Sequence, residues 1–306
     1  MKPLILGTRG SPLALWQSEW VRKCLRETAG VECQIERIQT SGDKKQTGPL
    51  SANGGKGLFV KELEESLLEG RIDLAVHSLK DVPTVLLPGF DLPVFMPRAD
   101  PRDCLVSRPE IAHLADLSPG ARVGSCSPRR VAQALNLIPG LDISDLRGNV
   151  ATRLEKVRSG ELDATFLAKA GLDRLEMSDS DWIHPLAPET MVPAAGQGIV
   201  AIEIRAGRED LRELLAEALD DSEARAAALA ERAVVRHLEG NCVSPIGAHA
   251  RISQGTLDLT AMVGDVRGET VLRESVTGHC EEAEQLGRQA AERLKGRGAA
   301  RLIQPE

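Results

Sequence analysis

Gly70-Arg71-Ile72-Asp73-Leu74-Ala75-Val76 and Gly160-Glu161-Leu162-Asp163-Ala164-Thr165-Phe166 share one pattern: a glycine that stops a helix, a turn, then a short apolar run. A glycine ends a helix in the left-handed conformation without a Cβ penalty. An apolar run this short predicts a strand covered on both faces, as in a parallel sheet under helices. Because the pattern occurs twice, the chain is expected to build two equivalent lobes.

Reading outward, Leu4 to Gly7 predicts a strand, and Ser11-Pro12 supplies the cap and first turn of an amphipathic helix running to about Glu27. Val31 to Thr40 alternates as a second strand. Residues 41–57, rich in Gly, Ser, Asn and Lys, predict a surface loop. Phe59 to Glu69 reads as a helix and Ile72 to Val76 as a buried strand. The fold class is therefore α/β, with mixed, mostly parallel sheets. Pro- and Gly-bearing segments at 96–103 and 192–198 predict crossings between lobes. Beyond Asp220, a helical run through Arg236 leads to strands at 248–252, 257–263 and 270–276 and a last helix at 281–295. The expected organisation is a discontinuous first lobe (1–98 and 195–219), a second lobe (99–194) and a C-terminal α+β domain (220–306) with a small antiparallel sheet, whose entry loop carries Cys242.

At 306 residues the chain exceeds one ordinary core, which agrees with several domains. No apolar run is long enough to span a bilayer. Met1 to Gly7 enters a strand directly, without a signal peptide's long apolar region, so a cytosolic protein is expected. Six cysteines, at 24, 33, 104, 126, 242 and 280, show neither C-x-x-C spacing nor close histidine partners, and no H-E-x-x-H occurs. Disulfides and metals are therefore not indicated. A net charge of −7 and only four Phe and three Trp argue against nucleic-acid binding. Only ten of the 38 basic residues are lysine; the other 28 are arginine, whose planar fork grips a carboxylate with two bonds.

Two distant stretches carry the chemistry. Val76-His77-Ser78-Leu79-Lys80-Asp81-Val82-Pro83 sets a cation beside a carboxylate where a buried strand ends, the usual place for ligand groups in α/β sheets. Leu238-Glu239-Gly240-Asn241-Cys242-Val243-Ser244-Pro245 places one thiol in a tight loop. Taken singly, the first reads as a solvated charged turn and the second as a small buried hydrophobe. Gly54-Gly55-Lys56-Gly57 lacks the Walker spacing and is not a nucleotide loop. Together, and in this order, these motifs resemble the porphobilinogen deaminases, and the resemblance covers nearly the whole chain.

That resemblance implies two lobes like those of periplasmic binding proteins, with the active site between them. It implies a transferase that joins four porphobilinogens and releases ammonia, on a dipyrromethane cofactor bound to Cys242 by a thioether. Asp81 matches the catalytic aspartate. Arg9, Ser11, Lys80, Ser125, Ser127, Arg129, Arg130, Arg147 and Arg153 match positions that contact cofactor or substrate, each pyrrole ring bringing an acetate and a propionate. Lys56 and Phe59 fall in a segment that lies over the cleft, and Gln197, in Ala195-Gly196-Gln197-Gly198, in a hinge and cleft segment. The resemblance further implies a monomer whose product passes to uroporphyrinogen-III synthase. Three departures stand out: Asn241 replaces a second glycine, where its tolerance of positive φ is expected to preserve the turn; Val243-Ser244 is unusual for the family and bears on how the cofactor sits; and Pro128 replaces a leucine, which a helix start accepts. The alternative is a non-catalytic two-lobed receptor for an acidic small molecule.

Overall fold

A computed structural model describes residues 2–40, 60–241 and 243–303. In the first sheet β1 (Leu4–Thr8) runs parallel to β2 (Cys33–Arg37) and β3 (Leu74–Ser78). Next to β3 lies β10 (Val200–Arg205), antiparallel both to β3 and to β4 (Phe90–Phe95), so the order is β2-β1-β3-β10-β4. The second sheet repeats this plan as β7-β6-β8-β5-β9, with β5 (Asp103–Ser107), β6 (Arg122–Gly124), β7 (Asp142–Ser144), β8 (Ala164–Ala168) and β9 (Ile183–Pro185). There too the fourth strand alone is reversed. Four strands of five run one way in each sheet, and the two apolar runs quoted at the outset become the equivalent strands β3 and β8.

The likeness reaches individual side chains. Gly70 and Gly160 both take positive φ, 68° and 77°. Asp73 Oδ2 accepts from the Ile5 amide at 2.8 Å, and Asp163 Oδ2 from the Arg122 amide at the same distance. Helices close both faces of each sheet. On the first, α1 (Pro12–Ala29) and α6 (Glu209–Leu219) bury Val21, Leu25, Leu211 and Leu215 on one side; α2 (Lys61–Leu68) buries Leu63 and Leu67 on the other. The second is covered by α3 (Pro128–Leu137) and by α4 (Val150–Arg158) with α5 (Lys169–Arg174). The third sheet, β11 (Ile246–Ser253), β12 (Thr256–Gly264) and β13 (Val271–His279), is an antiparallel meander. It packs against α7 (Ser222–His237), α8 (Ala283–Gly296) and the short α9 (Ala299–Ile303). No described helix is long and apolar enough to cross a membrane.

The chain leaves the first lobe after β4 and returns before β10, and the two passages pack together. Gly198, at φ 91°, would bring a Cβ within 2.5 Å of the Ala99 carbonyl oxygen, so only glycine fits there. Arg174 crosses from α5 to donate to the Gly198 carbonyl at 2.8 Å, its guanidinium over the rings of Trp16 and Trp20. Both passages converge on Glu231 of α7. Its Oε1 accepts from Arg98 at 2.6 Å and from the Ala250 amide at 2.7 Å; its Oε2 accepts from the Gly196 amide at 2.7 Å. Glu231 is fully buried, yet Arg98 and His249 hold its carboxyl below the usual range despite burial, so the junction is built for the ionised form.

Glu231→Gln keeps the shape but removes the charge that Arg98 neutralises. It is expected to lower unfolding free energy by about 3–5 kcal/mol. Urea denaturation checks this; an unchanged midpoint would show that the junction does not depend on the charge.

Candidate active site

Four strand ends bring the site together. β1 leads into the start of α1, where Ser11 Oγ accepts from the Ala14 amide at 3.3 Å. β6 leads through Ser125 to α3, and β7 leads through Arg147 to α4, capped by Asn149, whose Oδ1 accepts from the Thr152 amide at 2.9 Å. The positive end of each helix dipole favours anions there. β3 ends in a single 3-10 turn, Leu79–Asp81. The turn puts Asp81 on the surface of a small cavity that Arg9, Ser11, Gln17 and Ser78 also line.

Gln197 links the lobes. Its Oε1 accepts from Lys80 Nζ at 3.3 Å, and its Nε2 donates to the Pro101 carbonyl at 2.7 Å and to Asp103 Oδ1 at 3.0 Å. Asp103 is fully buried between two guanidiniums: Arg129 reaches Oδ2 at 2.7 Å, and Arg130 reaches Oδ1 at 2.7 and 3.1 Å. Their remaining bonds go to backbone, Arg129 to the Val192 carbonyl at 2.6 Å and Arg130 to the Phe166 carbonyl at 2.8 Å. The pair of arginines holds the Asp103 carboxyl far below the usual carboxylate range against the effect of burial. Both are buried, so they meet a protein carboxylate before any ligand does.

Other cations are less committed. Lys80 is half-buried, and its ammonium is pushed down to about 8, first by burial and then by Arg130. Arg153 uses Nε on the Gly148 carbonyl at 2.9 Å, and burial and Arg130 lower its pKa. Arg147 hydrogen-bonds the Cys126 thiol, which burial and Asp145 nevertheless push up. Among the described residues, Lys80, Arg129, Arg130 and Arg153 thus share a field with Asp81 and Asp103, four cations against these two carboxylates. Such an excess of cations suits a ligand carrying several carboxylates.

The thiol of Cys242 lies outside the described residues, as do Lys56 and Phe59. The backbone on either side of the thiol is defined. Asn241 does not take positive φ; that conformation falls on Glu239, at 56°, just past the end of α7. Asn241 instead accepts from the Val243 amide through Oδ1 at 2.9 Å, the bond of an Asx turn, while its own amide donates to Ser244 Oγ at 3.0 Å. A short polar side chain here does by hydrogen bonding what a glycine would do by conformational freedom. At Gly240 a Cβ would lie 2.2 Å from Ile246 Cδ1, so any larger residue there would displace that side chain.

Known proteins match this arrangement along its length. Residues 4–213 match the family described as porphobilinogen deaminase, dipyromethane cofactor binding domain, and residues 226–296 the C-terminal domain of porphobilinogen deaminase. The chain belongs to the porphobilinogen deaminase family. Among curated relatives, porphobilinogen deaminase of Syntrophotalea carbinolica is 46% identical over 301 residues, covering 98% of this chain and 95% of the relative. That of Chromobacterium violaceum is 45% identical, covering 99% and 97%. Among solved structures, an amino acid ABC transporter substrate-binding protein from Streptococcus pneumoniae bound to L-arginine is 13% identical, with a TM-score of 0.41, covering 71% of this chain and 86% of that one.

For a porphobilinogen deaminase, the donor set fits a dipyrromethane, whose two rings bring acetate and propionate carboxylates to a cleft with surplus cations. The sequence reading missed Asp103, Glu231 and Arg232. Each had one signal, a charged residue inside an apolar or alanine-rich run: Asp103 ahead of Cys104-Leu105-Val106, and Glu231-Arg232 within Ala226 to Val235. Burial of such a charge demands a partner, but one sequence does not say which.

Asp103→Asn leaves Arg129 and Arg130 buried without their counter-charge. The expected loss of stability is about 3–5 kcal/mol, measured by denaturant titration, with cofactor absent from the intact mass of whatever folds.

Proposed function

We propose that this protein condenses four porphobilinogens head to tail, with one water, into hydroxymethylbilane and four ammonia molecules, on a dipyrromethane primer held by a thioether at Cys242. The observation that carries this reading is the surplus of cations around Asp81 in a chain whose net charge is −7. Bound there, the dipyrromethane supplies the free pyrrole carbon from which the chain is extended. Cys242 suits the anchor because a thiolate is a soft nucleophile, and its neighbours Asn241, Val243 and Ser244 are hydrogen-bonded to one another.

Asp81 would face the pyrrole nitrogen and stabilise the positive charge that develops as ammonia leaves. Lys80, Arg147 and Arg153, with Arg9, Ser125 and the helix starts at Ser11 and Ser127, would hold the ring carboxylates. Arg129 and Arg130, committed to Asp103, would act mainly through their charge. Gln197 would keep Lys80 aligned across the lobes, and Lys56 and Phe59 would cover the cleft. The five described cysteines are all free thiols, which suits a reducing cytosol. Among the described residues only six large hydrophobic side chains are exposed, which supports a monomer. Hydroxymethylbilane would pass to uroporphyrinogen-III synthase.

Intact mass is the first test: the purified protein should exceed its sequence mass by two pyrrole units, and Cys242→Ala should fold without the excess. A wild-type mass equal to the sequence mass would favour a receptor. At Asp81, the Asn substitution removes the charge and should nearly abolish ammonia release from cofactor-loaded protein. Asp81→Glu displaces the carboxylate by about a methylene and should leave a rate lower by on the order of 10²-fold. Near-normal release by Asp81→Asn would remove this residue from the chemistry.

The Lys80 shift gives a pH test. Its folded pKa of about 8 lies below its usual 10.5, so the charged form is disfavoured by folding. That cost to stability is present at low pH and is relieved as pH rises through about 8. Binding runs the other way: KM for porphobilinogen should rise as the ammonium is lost above about pH 8, and Lys80→Arg should extend binding to higher pH. A flat wild-type KM across that range, with KM unchanged in Lys80→Gln, would exclude Lys80 from binding the substrate carboxylate.

A further inference from the structure

The turn that carries Asp81 is fastened from outside its own lobe. Arg232, on α7 of the C-terminal domain, is 8% exposed and forms no ion pair among the described residues. Its guanidinium donates Nη1 to the Val82 carbonyl at 3.1 Å and Nη2 to the Pro83 carbonyl at 2.6 Å. These are the two residues that follow Asp81. A buried cation bonded to neutral carbonyls alone is an expensive arrangement, and burial pushes this one down to about 10. A hydrophobic side chain would fill the same space without that cost, so the bonds themselves must matter.

The same helix ends at His237, where the loop to Cys242 begins. Next to Arg232, Glu231 fixes α7 to both passages between the lobes. One rigid element thus sets two things: where the thiol loop starts and where the Asp81 turn ends. Elsewhere the turn is held by its buried Leu79 and Val82 side chains, by the Leu79 amide on the Ile199 carbonyl and by the Lys80–Gln197 bond, but none of these grips the backbone just after Asp81. The Val82 amide closes onto the Leu79 carbonyl at 3.0 Å, and Pro83 has no amide to donate.

We propose that Arg232 is a positioning residue for the reaction, holding the Asp81 carboxylate in register with the ring chain anchored at Cys242. This rests on the reading that Asp81 acts at the pyrrole nitrogen. The grip is two-pronged, so a lysine, with a point charge, reproduces only part of it.

The test uses cofactor-loaded Arg232→Met, which keeps much of the volume and removes both bonds. Its intact mass should still include the cofactor and its KM should stay within about threefold, while kcat falls about 10- to 100-fold. Amide exchange across residues 79–82 should quicken, and Arg232→Lys should recover part of the rate. In an Asp81→Glu background the Met substitution should cost less than about threefold more, because a misplaced carboxylate has no register left to lose. A kcat within about twofold of wild type, or a loss as large with Asp81→Glu as without it, overturns the proposal. Should the Met variant fail to fold, Arg232→Lys and Arg232→Gln decide: unchanged kcat in both overturns it equally. If Asp81→Asn alone keeps normal turnover, the reading of Asp81 has failed; if Asp81 proves essential while Arg232 acts independently, only this inference has.

Discussion

Glu231 satisfies, with two oxygens, a requirement that the chain order creates. The first lobe is interrupted by the second, so the backbone must pass between them twice, and a third domain must then dock against the junction. Arg98 comes from the outgoing passage, the Gly196 amide from the returning one and the Ala250 amide from the third sheet. Hydrophobic contact could bring these segments together but would not fix their angles, because it has no direction. A buried carboxylate has direction, and it is destabilising whenever a partner is missing. The junction is therefore formed as a whole or not at all, and lobe geometry follows from it.

The same logic governs the cleft. A protein of net charge −7 must hold a ligand that gains carboxylates as it grows, so positive charge has to be concentrated locally. Several cations cannot simply be buried together. Asp103 makes it possible by neutralising one charge between Arg129 and Arg130, while their donors to the Val192 and Phe166 carbonyls satisfy the rest. What remains is a surplus that a ligand can complete. The lowered pKa values of Lys80 and Arg153 are the physical trace of that surplus, since each is disfavoured by Arg130 as well as by burial.

Much of this was legible in the sequence, for reasons that differ by level. The repeated glycine–turn–strand pattern revealed the duplication because parallel strands buried on both faces leave an unbroken apolar signature. The Ser11-Pro12 helix start and the three C-terminal strands followed from local rules, and the structure places them at Pro12–Ala29, Ile246–Ser253, Thr256–Gly264 and Val271–His279. What could not be read was pairing across distance. Arg129 and Arg130 looked like ligand arginines, and nothing local announced that Asp103 holds both. Asn241 was recognised as a glycine substitute, but the way it substitutes, by an Asx turn with the positive φ moved to Glu239, depends on hydrogen bonds that sequence does not display.

The two lobes share one strand plan yet supply opposite charges to one cleft. Gly7 pairs with Ala75 in the first sheet as Gly124 pairs with Thr165 in the second, which aligns the two lobes residue by residue at these strand ends. Both lobes then open a helix with Ser-Pro, Ser11-Pro12 and Ser127-Pro128, the second connection being one residue shorter. Each so inherits an anion-binding helix start at the same place. The central strands part company just beyond. β3 continues into Lys80-Asp81, whereas the aligned positions after β8 are Ala170-Gly171, set in a short helix. These small residues are buried in the second lobe, so no charge stands there. Cations come from both lobes, but the aspartate that follows a central strand comes from one. A symmetric ancestor of this plan could bind an acidic ligand between two like surfaces; placing a single carboxylate on one side gives the cleft a direction, which a head-to-tail condensation requires.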